Sequence, residues 1–237
     1  TFSPTAGLSV QTGGDLNLNG YVLTFNAGQF AAYSGTTVNS PGTFRTQGNV
    51  SVYPVNGSNF NANFNVNSGS STGGNTGFGD IFYGNVTIDN GATMNCGWTS
   101  GRTTNFYGNI TNNGTLTTSS TGGVVRIRGS LVANSNIFTP ANLNFDTATS
   151  ISGTGAFAPI NAAINANGKV TLLSNATITP GAGLTMLTGA VLNPNGFVLT
   201  YNSGEFNLYP GTTVSSPGTV RTLNNVAIYT GNSSAFN

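Results

Sequence analysis

The sequence predicts an all-β fold, a parallel β-helix or β-solenoid with about 22 residues in each coil. Three observations predict it: a long tandem repeat, a shorter repeat inside the long one, and polar–apolar alternation interrupted by turn residues. The hand of the coil and the number of strands per coil stay open at this point.

The long repeat covers most of the chain. Residues 1–61 align without a gap to residues 177–237, and 35 of the 61 pairs are identical. We therefore predict one complete long repeat of about eight coils over residues 1–176. Residues 177–237 form the first third of the next copy in a continuous solenoid. The pattern is already under way at Thr1, so we expect the chain to be a segment of a longer array.

The short repeat has a period of about 22 residues, and such periods are typical of solenoids, in which each unit is too small to fold alone. The segment FYGNVT at 82–87 returns at 106–111 with the closely similar sequence FYGNIT. The segment IRGSL at 127–131 takes the same place one period further on.

Strands and corners alternate along the chain. Residues 49–53, 59–67 and 169–172 alternate polar and apolar side chains, which predicts strands. Asn-Gly between strands also suggests a hairpin, so an antiparallel sandwich or barrel is the rival fold. The recurrence of the same turn residues at a spacing of about 22 residues favours the solenoid. The predicted corners are Asn19-Gly20, Pro41-Gly42, Asn90-Gly91, Asn113-Gly114 and Pro180-Gly181.

The composition excludes several function classes. Charged residues make up 5% of the chain and the net charge is +1, so neither nucleic acid nor an anionic membrane is an expected partner. No apolar run approaches the roughly 18 residues of a membrane span. The 35 Asn and 35 Thr residues predict a polar, weakly charged surface. The Asn residues of 59–67 are expected to hydrogen-bond along the fibre axis.

We expect no catalytic residue, no metal site and no cofactor, and hence no enzyme. Without histidine, neither a Ser–His arrangement nor a histidine zinc site can form. Asp80 and Asp89 are the one pair of acids considered for glycoside cleavage. The segment GFGD at 77–80 resembles a calcium-binding β-roll turn, but it occurs once and we interpret it as a glycine-rich corner.

Three residues are candidates for ligand contact: Trp98, Arg102 and Tyr107. They share an irregular stretch, where an aromatic ring beside an arginine would suit a sugar; the competing interpretation is a Trp that covers a strand end. Thr147 is a candidate O-glycosylation site, because Asp146-Thr147-Ala148 matches the pattern known from Bacteroidota. Cys96 is expected to be a small buried residue.

The segment VTIDNGATMN at 86–95 resembles the repeats of giant secreted adhesins and surface-filament proteins of Bacteroidota and related bacteria. The resemblance implies export and a role in attachment, gliding, matrix or filament building. The localisation it implies is extracellular, at the bacterial cell surface.

The predicted function is a structural repeat of a long extracellular fibre or cell-surface adhesin. The expected partners are copies of the chain along the axis and laterally, and surface glycans. The alternatives are a carbohydrate-binding or carbohydrate-cleaving β-helix and a phage tail fibre, which would be trimeric. One giant chain and shorter chains joined end to end are both open, and the gapless alignment of the two copies favours the first.

Overall fold

The computed structural model describes residues 7–55, 57–73, 80–96, 101–118, 120–135 and 137–237. These residues contain no helix, and therefore none that could cross a membrane. They form 33 short strands in three parallel sheets of eleven strands each.

The strands follow one another through the three sheets in strict rotation. The first sheet contains β1 (Leu8–Val10), β4 (Gly28–Ala32), β7 (Val50–Pro54), β10 (Ser70–Gly73), β13 (Thr93–Cys96), β16 (Thr115–Thr118), β19 (Ile137–Thr139), β22 (Ala156–Phe157), β25 (Ala176–Ile178), β28 (Val198–Tyr201) and β31 (Thr219–Thr222). The second contains β2 (Asp15–Asn17), β5 (Thr37–Asn39), β8 (Asn59–Phe60), β11 (Ile81–Phe82), β14 (Thr103–Phe106), β17 (Val124–Ile127), β20 (Asn142–Phe145), β23 (Asn161–Ile164), β26 (Gly183–Met186), β29 (Gly204–Leu208) and β32 (Val226–Thr230). The third contains β3 (Val22–Phe25), β6 (Thr43–Gln47), β9 (Asn63–Ser68), β12 (Val86–Ile88), β15 (Ile110–Asn112), β18 (Leu131–Ala133), β21 (Ala148–Ser152), β24 (Lys169–Leu172), β27 (Val191–Asn193), β30 (Thr213–Val214) and β33 (Ala235–Phe236).

Each coil therefore consists of three strands, one in each sheet, and three corners. The pairings between described strands are all parallel, so the predicted β-solenoid is confirmed and the antiparallel alternative is wrong. Aligned residues of neighbouring coils are about 22 positions apart in the chain. The separation is larger between Phe82 and Phe106 and smaller between Ile127 and Phe145.

The core lies inside the coils, where like positions stack along the axis. Phe82, Phe106 and Ile127 are aligned in the second sheet, as the FYGNVT repeat predicts. The rings of Phe82 and Phe106 stack with their centroids 5.5 Å apart. The ring centroid of Phe64 lies 5.2 Å from that of Phe82. Such aromatic stacks add to the stabilisation that comes from burying apolar area.

The prediction of one unbroken strand over 59–67 is wrong. The chain bends between β8 and β9, at Asn61 and Ala62. Ala62 is fully buried, so the polar–apolar alternation passes through the corner without a change of phase. Periodicity cannot reveal such a corner when neither Gly nor Pro marks it.

Each coil receives its cover from the coils above and below it. Val52 in β7 is 1% exposed and has a paired strand on both sides. Its equivalent in the second copy, Ile228, pairs on one side and is 46% exposed. Phe60 and its equivalent Phe236 differ in the same way, with 0% and 49% exposed. Stacking is therefore what buries the apolar side chains of a coil.

The long repeat does not close on a whole number of coils. Strand β3 lies in the third sheet, whereas its equivalent in the second copy, β28, lies in the first sheet. The repeat therefore spans 25 strands, β3 to β27, which is eight coils plus one strand. The extra strand fits because two successive coils are short, the one that leads from Ile127 to Phe145 and the one that leads from Phe145 to Ile164.

Glycine is required where corners of successive coils touch. Gly84, Gly108 and Gly129 stack in the corner between the second and third sheets. A Cβ atom on Gly108 would lie 2.2 Å from the carbonyl oxygen of Gly84, and a Cβ on Gly129 would lie 2.2 Å from that of Gly108. Both contacts are with backbone, which cannot move without disturbing the ladder.

Gly108→Ala is therefore expected to destabilise the fold by about 1–3 kcal/mol, the usual range for overpacking. The measurement is the urea midpoint of unfolding by circular dichroism. The matched control is Gly181→Ala, because a Cβ there meets its nearest atom at 3.5 Å, an ordinary contact distance. Equal midpoints for the two variants would show that the corners are not in close contact.

Candidate functional site

The structure does not bring Arg102 and Tyr107, two of the three predicted ligand-contact residues, together. Arg102 precedes β14 and Tyr107 follows it, so their Cα atoms are about 16 Å apart along an extended strand. Trp98 lies outside the described residues. Tyr107 instead belongs to a line of side chains that runs along the axis at the corner between the second and third sheets.

This line, which we name the corner column, consists of Tyr83, Tyr107, Arg128, Asp146 and Asn165 on five successive coils. The rings of Tyr83 and Tyr107 stack with centroids 4.8 Å apart. The guanidinium of Arg128 lies over the other face of Tyr107, 4.5 Å from its centroid, and Arg128 Nη1 donates to the Tyr107 hydroxyl. Each ring face of Tyr107 thus has a neighbour, and the ring presents its edge to solvent.

The acid of the corner column neutralises its base. Arg128 donates from Nε and Nη2 to Asp146 Oδ2, at 3.2 and 3.1 Å. Asn165 Nδ2 donates to Asp146 Oδ1, and Arg126 Nη1 is 3.9 Å from Oδ2. The Asp146 side chain is 11% exposed, so these charge-assisted hydrogen bonds are partly shielded from water. The column joins coils to one another rather than assembling a nucleophile and a base.

A second line of side chains satisfies the corner backbone. The side-chain oxygen of Asn63 accepts from the backbone N–H of Asn85 at 3.2 Å. Asn85 accepts in the same way from Asn109 at 3.0 Å, and Asn109 from Ser130 at 3.0 Å. Each asparagine therefore pairs a corner N–H of the next coil, which a β ladder would leave unpaired.

The expected hydrogen bonds of residues 59–67 along the axis are confirmed on the third sheet. Arg45 Nε donates to Asn65 Oδ1 at 3.0 Å, and Asn65 Nδ2 donates to Asp89 Oδ2 at 3.1 Å. Asn67 Nδ2 also donates to Asp89 Oδ2, at 2.8 Å. The chain of contacts crosses three coils and ends on a carboxylate.

The two acids considered for glycoside cleavage lie at different corners. Asp80 precedes β11, at the corner between the first and second sheets, and is 1% exposed. Asp89 follows β12 and accepts bonds on the outer surface. They do not share a site. The remaining residues of the calcium-like turn, 77–79, lie outside the described part of the chain. In that part no three residues of the types His, Cys, Asp and Glu cluster as metal ligands would.

Thr147 is exposed beside the corner column, directly after Asp146 in the chain. Its hydroxyl donates to the backbone carbonyl of Arg128 at 3.0 Å. The side chain is thus accessible on the surface, and its glycosylation stays a prediction.

Asp80 and Cys96 are titratable groups inside the solenoid. Burial raises the pKa of the Asp80 carboxyl well above its usual value, and Arg102 partly opposes this effect. Burial, together with the charge of Asp80, also raises the pKa of the Cys96 thiol, and a hydrogen bond with the Thr104 side chain opposes the rise. Cys96 is fully buried and unpaired with another cysteine, which confirms the prediction of a small core residue.

The chain matches no protein-family model, no curated protein and no solved structure. The resemblance of residues 86–95 to bacterial surface proteins therefore stays a prediction from repeat style.

The sequence contained one signal for the corner column. The segments at 82–87, 106–111 and 127–131 align by their glycines, and this alignment places Tyr83, Tyr107 and Arg128 in one line. Arg102 is close to Tyr107 in the chain but lies at a different corner, the one between the first and second sheets. Asp146 and Asn165 carry no such repeat signal, because neither is followed directly by a glycine.

The buried carboxyl of Asp80 makes stability depend on pH. The unfolded chain releases this proton near the ordinary Asp pKa of about 3.9, and the folded chain retains it to a higher pH. The stability it contributes is complete below about pH 3.9 and falls as the pH rises through the folded pKa.

Asp80→Asn is expected to remove this fall, because an amide has no proton to release. The urea midpoints of variant and parent should diverge progressively as the pH rises above about 4, with the variant more stable. The control is Asp15→Asn at an exposed position. Parallel curves for the parent and Asp80→Asn would contradict the prediction.

Proposed function

We propose that this chain is a structural segment of a long bacterial extracellular fibre or cell-surface adhesin, and that it has no catalytic role. The observation that carries the proposal is the continuity of the solenoid through the junction of the two copies. Strand β25 contains that junction, and it pairs in register with β22 before it and with β28 after it.

Continuity at the junction distinguishes a rigid rod from a series of separate domains. Separate domains joined by linkers would bend at each joint. Here Ile178, just past the junction, lies in the same buried core as Phe157 before it and Tyr201 after it. Because neighbouring coils are about 4.8 Å apart, each copy of eight coils and one strand would lengthen the rod by about 40 Å.

The surface supports self-association as the main partnership. Net charge is +1, and Asn, Ser and Thr side chains hydrogen-bond to the next coil along the axis. Rods with so little charge can pack side by side without strong repulsion. A surface glycan is the second proposed partner. At the corner column it would meet the edges of Tyr83 and Tyr107, each 40% exposed, because their faces are stacked on one another.

The shape is tested by small-angle X-ray scattering. This chain is expected to scatter as a rigid particle about 50 Å long, the height of eleven coils. Adding one further copy of the long repeat should lengthen the particle by about 40 Å and leave the cross-section unchanged. A larger cross-section, or the scattering of flexibly joined domains, would contradict a continuous rod.

The location is tested on cells that express the native protein. Antibodies against this chain are expected to label thin filaments on intact cells. Permeabilising the cells is expected not to increase this labelling. On a denaturing gel the labelled material should run far above 24.1 kDa, the mass of this segment. Labelling that requires permeabilisation would rule out a surface fibre, and a band at the mass of the segment would rule out the giant chain.

A further inference from the structure

We propose that the long repeat turns its surface by one third of a revolution from each copy to the next, so that a tandem array shows the same residues on all three sides of the rod. The proposal rests on the proposed function in one respect, that copies continue in tandem. Within this chain the turn between the first copy and the second can be tested directly.

Equivalent residues of the two copies occupy different corners. Thr12 lies between β1 and β2, at the corner of the first and second sheets, whereas Thr188 lies between β26 and β27, at the corner of the second and third. Tyr33 and Tyr209 are displaced in the same way, and both rings are exposed. The displacement is one strand in the direction in which the chain winds.

The displacement arises in the corners and leaves the ladders intact. If every coil had the average length of about 22 residues, the long repeat would make eight coils and equivalent residues would share a side. The coil that leads from β17 to β20 is short although these two strands are equally long. Its shortness lies in its corners, since only Pro140 and Ala141 separate β19 from β20. A longer segment, 179–182, separates β25 from β26 at the corresponding corner. Short corners therefore save the residues from which the extra strand is made.

The inward side chains tolerate this turn because all three sheets have the same inward pattern. Val22–Phe25 and Val198–Tyr201 keep alternate apolar residues in the core although they lie in different sheets. Phe25 and its equivalent Tyr201 are both fully buried, and the added hydroxyl of Tyr201 donates to the backbone carbonyl of Glu205 at 2.5 Å. A copy can thus begin on any of the three sheets.

As a consequence, equivalent surface residues of successive copies follow a helical path around the axis of the rod. Three copies make 25 coils, about 120 Å, before the same residue returns to the same corner. The partners that this arrangement fits are further rods of the same kind, because a rod with equivalent sides can be surrounded in every direction. A flat partner would meet a given residue only on every third copy.

Pulsed electron paramagnetic resonance between two spin labels tests the turn in this chain. One labelled pair is Thr12→Cys with Thr188→Cys, which are equivalent in sequence. The matched pair is Thr12→Cys with Ala182→Cys, which the sheets place at the same corner eight coils apart. All three positions are exposed, and Cys96 is fully buried, so the chain without added cysteines serves as the labelling blank.

The 12–182 distance is expected to be about 38 Å, the height of eight coils. The 12–188 distance should be longer by about 5 to 10 Å, because the second label lies at the next corner. A 12–188 distance shorter than the 12–182 distance would overturn the proposal, because it would place equivalent residues on the same side of the rod. It would not contradict the stacked rod itself. If neither distance is close to the height of eight coils, the stacking itself is absent, and both this proposal and the rod are overturned.

Discussion

Parallel stacking of one coil on the next is the interaction on which the whole molecule depends. A single coil has too few apolar side chains to enclose its own centre, and the exposed interior of β32 shows what a coil lacks when one neighbour is missing. Stacking supplies backbone hydrogen bonds and apolar cover together. The requirement is stringent at the corners, where the backbones of Gly84, Gly108 and Gly129 are in contact.

The surface chemistry follows from the same spacing. Because equivalent positions recur about every 4.8 Å, each side chain has its nearest partners directly above and below. Tyrosine stacks on tyrosine, an arginine covers the end of that stack, and an asparagine carbonyl meets the next corner N–H. Polar side chains of the kind that bind ligands in globular proteins here stack on, or hydrogen-bond to, the neighbouring coils. A low content of charge suits this arrangement, since like charges at such a distance would repel.

The fold could be predicted from sequence because its signals are repetitive. The FYGN segments gave the correct alignment of Phe82 with Phe106, and residues 169–172 coincide with β24. Corners without glycine or proline, such as Asn61-Ala62, escaped prediction because the alternation continues through them. The corner column was missed for a different reason. Asp146 is aligned with Arg128 through a coil of 18 residues, and the length of a single coil cannot be read from an average period.

The positions of the buried polar residues could be predicted neither from the short repeat nor from the polar–apolar alternation. Asp80 occupies an inward position that pattern alone would assign to an apolar residue, and Arg102 acts on it from the adjacent coil. Its chemistry depends on desolvation, which only coordinates reveal. The sequence could show that Asp80 and Asp89 are close in the chain, but not that one is inside the coil and the other outside.

The short corner at Pro140-Ala141 has an implication for how such proteins change over time. A corner can be short while the strands on either side of it keep their places, since β19 and β20 each still pair with a strand of the coil before and of the coil after. All later strands also stay in their own sheets, so a shortened corner changes the number of residues in a coil but not the side that each strand faces. Evolution can turn the outer surface only by gaining or losing a whole strand together with its corner.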